Sequence, residues 1–90
     1  MRARLIKGDS WADVYREGTF GGRGRRLGLG ERARIREVGS IIVGPSATVV
    51  LTNRRGQEVL KLPPLKLVAE VSRLKLSEPA SHLLVAGRAF

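Results

Sequence analysis

Apolar residues recur at every second position along most of this chain, and that spacing suits a strand with one wet face rather than a helix. In "ERARIREV", Ala33 and Ile35 fall on one side and Arg32, Arg34 and Arg36 on the other. Wound as a helix, the same arginines would spread round the surface. The stretch "SIIVGPSATVVLTNRRGQEVLKLPP" reads as strand, Gly-Pro turn, strand, "NRRG" turn and strand, closed by Pro63 and Pro64, which cannot donate to a ladder. "LKLVAEV" and "SRLKL" repeat the alternation, and "SHLLVAG" supplies a final strand. Helix competes with strand at one place, roughly residues 10–17. There "DSWADVYREG" offers Ser10 with Asp13 three residues on, Trp11 and Tyr15 four apart, and Gly18 as a stop.

Several short strands between turn signals predict an all-β domain, an antiparallel Greek-key sandwich or small barrel with at most one short helix near the N-terminus. With 90 residues the chain is read as one domain, residues 1–90, holding one modest core and little room for a buried catalytic cleft. There is no cysteine, so neither a disulfide framework nor a thiolate metal site holds it together. "MRARLIKGDS" lacks the apolar run of a secretory signal, and no apolar stretch approaches the ~18 residues that span a bilayer. The expected setting is therefore cytoplasmic or virion-associated, without a membrane partner. Basic charge comes mostly from arginine, Asn53 and Gln57 are the only side-chain amides, and Met1 is the only methionine. Depletion of heat-labile residues fits a thermostable protein, although a GC-rich genome also favours arginine.

A formal charge of +9 points to acidic partners: nucleic acid, acidic proteins or an assembly surface. It is densest in "FGGRGRRLGLGERARIR", where Arg23, Arg25, Arg26, Arg32, Arg34 and Arg36 cluster and no acid stands between Glu17 and Glu31. Such a face would track phosphates through counterion release, with Trp11, Tyr15 or Phe20 available to stack on bases. It would equally serve as a solvated sheet edge that resists aggregation, its aromatics then belonging to the core. The glycines do not make a phosphate loop: Gly22 and Gly24 begin G-x-G-x-x-G, but Leu27 stands at the third place, and no Gly-Lys-Ser/Thr follows. Catalytic constellations are absent too. His82 is the only histidine, and Asp9, Asp13 and Glu17 beside Lys7 and Arg16 read as surface charge. No catalytic residue, cofactor or metal ligand is assigned.

"YREGTFGGR" resembles the Greek-key signature of the βγ-crystallins: an aromatic, a second aromatic five residues on, then a glycine, here Tyr15, Phe20 and Gly22. The resemblance implies a folded hairpin whose aromatics lie on the sheet and whose glycine takes a backbone only glycine tolerates. "GSIIVGPSATVVL" is similar to the family's serine-containing strand that leads into a second motif, with Ser40 at the serine position. "GSIIVGP" and "VSRLKLSEP" then suggest a two-fold repeat of about 35 residues, degenerate in its second half. In that half Thr52 replaces the aromatic and only Gly56 and Ser72 align.

Calcium-binding members carry paired Asp/Asn ahead of Ser/Thr-Ser. The corresponding stretches here are "IREVGS" and "VAEVSR", leaving Glu37, Ser40, Glu70 and Ser72 as the nearby oxygens beside Arg36 and Arg73. A hard cation wants six to eight oxygens, so no competent calcium site is expected. The chain therefore reads as a non-enzymatic structural or interaction module of βγ-crystallin type. The alternative is a basic β-barrel subunit of a nucleoprotein assembly, such as a phage virion connector or ribosomal component, contacting nucleic acid or neighbouring subunits through its arginines.

Overall fold

The computed structural model describes residues 10–87, which form eight strands in two four-stranded antiparallel sheets. The strands are β1 (Trp11–Tyr15), β2 (Gly24–Gly28), β3 (Arg32–Arg34), β4 (Ser40–Val43), β5 (Ala47–Thr52), β6 (Glu58–Leu62), β7 (Leu67–Val68) and β8 (His82–Gly87). One sheet runs β2-β1-β4-β7 and the other β3-β8-β5-β6. β1 to β4 make one Greek key and β5 to β8 a second, and each key sends its third strand into the sheet of the other. That exchange of β3 and β7 locks the two sheets together.

Period-two patterning builds the core. Ala12 and Val14 of β1, Ile41 and Val43 of β4, Ala47, Val49 and Leu51 of β5, and Leu83 and Val85 of β8 all point inward and are buried. Each valine, leucine or isoleucine so buried contributes about 1.5–3 kcal/mol of transfer free energy. The edge strands give fewer residues: Leu27 of β2, Ala33 of β3, Leu62 of β6 and Val68 of β7. Val38 and Val71 are buried close together, bordering one cavity, with the Val71 N–H donating to the Gly39 carbonyl at 2.9 Å.

One open choice is decided and two local expectations are corrected. Residues 11–15 are strand, and no α-helix occurs among the described residues, only 3-10 turns at Ile35–Glu37 and Val71–Arg73. The backbone of β1 is satisfied by ladders to β2 and β4 on both sides, which outweighs the helix-start signal at Ser10. "SRLKL" is not a strand: it lies in the long connection between β7 and β8, where Leu74 and Leu76 pack on the core. Ser72, expected as the counterpart of Ser40, lies exposed in the second 3-10 turn of that connection. Register identifies the true equivalent: Ser40 faces Tyr15 across β4 and β1, and His82 faces Thr52 across β8 and β5. The flanking bonds agree, since the Gly39 N–H donates to the Tyr15 carbonyl and the Ser81 N–H to the Thr52 carbonyl, both at 2.7 Å. The second key therefore has histidine where the first has serine, and its longer crossover displaces the repeat.

Candidate functional site

The β1–β2 hairpin folds back on its own sheet and brings Tyr15, Phe20, Gly22 and Ser40 together. Thr19 and Phe20 both take left-handed backbone, with φ of 54° and 58°, and Gly22 has φ 75°. The Tyr15 and Phe20 rings meet edge to face with centroids 5.9 Å apart and planes at 77°. Ser40 is fully buried; its hydroxyl accepts the Phe20 N–H at 2.8 Å and donates to the Glu17 carbonyl at 2.7 Å. The hairpin also reaches the second key, where the Thr19 N–H donates to the Ala69 carbonyl at 2.7 Å and the Thr19 hydroxyl lies 3.3 Å from Glu70. The start of the β7–β8 connection thus holds the hairpin, chiefly through the Ala69 carbonyl, a pairing between keys that sequence spacing could not show.

The six arginines do not form one stripe. Register sets Asp13 opposite Arg26 on the outer face of the first sheet. There the guanidinium binds Asp13 with two hydrogen bonds of 2.8 and 3.1 Å and lies 3.9 Å over the Trp11 ring. The hydrogen bond to Asp13 pushes the Arg26 guanidinium above its ordinary value, opposed in part by desolvation. Arg26 is engaged within the fold. Arg25 stands opposite Val14 on the other face of β2. With Arg23, Arg16, Tyr15 and Glu37 it lines a groove of about 260 Å³.

Arg32 and Arg34 share the exposed face of β3, opposite Leu84 and His82. Arg36 does not join them, because the chain leaves the strand after Arg34 and enters the 3-10 turn that carries it across to β4. A strand-like row of Arg32, Arg34 and Arg36 is therefore corrected. Arg34 and Arg36 instead meet Arg54, from the β5–β6 turn, around a second groove of about 530 Å³ whose other walls are Ile35, Ala80, Ser81 and His82. Arg54, Ser81 and His82 carried no sequence signal beyond a turn and a strand start; the sheet exchange alone places them beside Arg34.

The loop ahead of Ser40 also sets the local oxygen supply. Gly39 offers no hydroxyl, and a Cβ there would run into the Glu17 backbone, with 2.7 Å to the Glu17 Cα. Among the described residues no three His, Cys, Asp or Glu side chains gather into a metal-binding group.

No protein-family model matches the sequence, and no curated protein matches it either. Solved structures do match, and they define the fold as that of the βγ-crystallin domains. A βγ-crystallin domain of Abundant Perithecial Protein from Neurospora crassa, in its Ca2+-bound form, is similar with a TM-score of 0.66 at 17% identity, over 90% of this chain and 92% of that one. Against a longer structure of the same Neurospora protein the TM-score is 0.68 at 18% identity, and this chain spans only 40% of its length. A chain studied for the evolution of the eye-lens βγ-crystallin domain fold gives 0.68 at 18% identity, covering 90% of this chain and 89% of that one. Hahellin, a βγ-crystallin, gives 0.61 at 15% identity over 92% and 98%.

Proposed function

We propose that this chain is a non-enzymatic structural or interaction module of βγ-crystallin fold that is stable without calcium. The observation that carries the reading is the occupied state of the first key's loop. The Ser40 hydroxyl is committed to Phe20 and Glu17 within the protein, Gly39 contributes no oxygen, and Arg36 projects from the same turn. Calcium requires six to eight oxygens at close range, and a guanidinium beside the place raises the electrostatic cost of a dication. The donors present in this loop do not suit that ion, whatever the Neurospora domain binds. The fold holds itself instead through buried strands and the serine clamp. Melting with and without millimolar calcium tests this: an unchanged midpoint is expected, and a rise of several degrees overturns it.

A second reading rests on charge. Arg16, Arg23, Arg25, Arg34, Arg36 and Arg54 are exposed, and none forms an ion pair among the described residues. On this reading the module sits against a polyanion in a nucleoprotein assembly. Nucleic-acid binding that weakens steeply with salt supports it; binding insensitive to salt overturns it.

A further inference from the structure

We propose that the groove between Arg34, Arg36 and Arg54, floored by Ser81 and His82, is a discrete binding site for a phosphate group. Three guanidinium-bearing residues arrive there from three separate elements: the end of β3, the following 3-10 turn and the β5–β6 turn. None of the groove's lining residues is an acid. The nearest acidic residues in sequence make their contacts outside this lining: Glu31 accepts the Gly28 N–H at 2.7 Å, Glu37 borders the other groove, and Glu78 accepts from the Asn53 side-chain amide at 3.1 Å. The other arginine-lined groove differs in this respect, because Glu37 supplies its own counter-charge. Where an aspartate stands opposite an arginine in this fold, as Asp13 does to Arg26, the two pair. Convergence of three cations without an acid raises local potential, and a multiply charged oxyanion relieves it while matching the planar fork of each guanidinium.

The backbone beneath these side chains is fixed. Arg34 pairs with His82 across β3 and β8, and the Ile35 N–H donates to the Ser81 carbonyl at 2.9 Å. The buried Asn53 side-chain oxygen accepts the N–H groups of Arg55 and Gln57, both at 2.9 Å, which holds the turn that presents Arg54. The Ser81 hydroxyl sits 2.9 Å from His82 Nδ1 at the floor, so one polar donor is available beside the arginines. At about 530 Å³ the groove admits a phosphate together with the group that bears it, whether a small phosphorylated molecule or a nucleic-acid backbone.

This site deepens the polyanion reading and rests on it through Arg34 and Arg36, but the two fail in different ways. Amide chemical shifts of the labelled chain are followed while inorganic phosphate replaces chloride at constant ionic strength. Saturable shifts confined to Arg34–Glu37, Arg54–Gly56 and Ser81–His82 are expected. Arg36→Gln and Arg54→Gln should each weaken binding about tenfold, as removal of a charge-assisted hydrogen bond does, with melting unchanged. Lys66→Gln, an equal change of charge away from the groove, should bind as the parent does. Shifts that rise without saturation over the whole basic surface, or Gln variants that bind normally, overturn the site. A short oligothymidine identifies the source. If its affinity falls in the same proportion in both variants, the groove takes a backbone phosphodiester; if it binds undiminished while phosphate binding disappears, the groove takes a small phosphorylated molecule. Salt-dependent oligothymidine binding with no phosphate binding overturns the discrete site and leaves the polyanion reading standing.

Discussion

The buried Ser40 hydroxyl holds the Phe20 backbone N–H at 2.8 Å and so ties β4 to the left-handed tip of the first hairpin. Removing the hydroxyl leaves the Phe20 N–H and the Glu17 carbonyl without that partner in a partly buried place. Ser40→Ala should therefore cost about 1–3 kcal/mol by urea denaturation, whereas Ser72→Ala, on an exposed turn, should be close to silent. Equal destabilisation at the two positions would assign the serine role to both keys.

Side chains at the hairpin tip act in opposite directions. Phe20→Ala removes a half-buried ring packed edge-on against Tyr15 and should cost about 2 kcal/mol. Thr19 is exposed, but its β-branched side chain is held at φ 54°, so Thr19→Gly should stabilise by about 1 kcal/mol even though the hydroxyl's reach to Glu70 is removed. A destabilised Thr19→Gly protein would show that the hydrogen bond to Glu70 outweighs the backbone strain.

Two glycines separate close packing from backbone conformation. At Gly39 an added Cβ meets the Glu17 backbone, which cannot swing aside, and Gly39→Ala should cost about 3 kcal/mol. Gly30 has open space and φ 85°, so Gly30→Ala should cost only about 1–2 kcal/mol. Thermal melts of the pair check the order, and a milder Gly39 variant would mean that the hairpin shifts freely.

If arginines in both grooves neutralise a polyanion, the combined variant Arg23→Gln, Arg25→Gln, Arg34→Gln and Arg36→Gln should lower the log-log salt slope of nucleic-acid binding by about 0.7–0.9 for each phosphate no longer neutralised. Circular dichroism should show the same β spectrum, since all four side chains are exposed. A slope that stays the same would move the polyanion off these residues.

Local chemistry made much of this protein legible in its sequence. Short apolar runs set between turn signals made β4, β5 and β8 legible, and parity then says which of their side chains share a face. Tyr15, Phe20, Gly22 and Ser40 could be named because the hairpin they build is closed by a few neighbouring residues and one serine. Parity says nothing about where a strand stops: it sets Arg36 in line with Arg32 and Arg34, although the chain turns out of the sheet between them. Nor does it say which strands pair. The exchange of β3 into the second sheet, the register that makes His82 rather than Ser72 the counterpart of Ser40 in the repeat, and the meeting of Arg34, Arg36 and Arg54 were decided by burying two apolar faces against each other. That burial joins residues distant in sequence, and no local pattern records it.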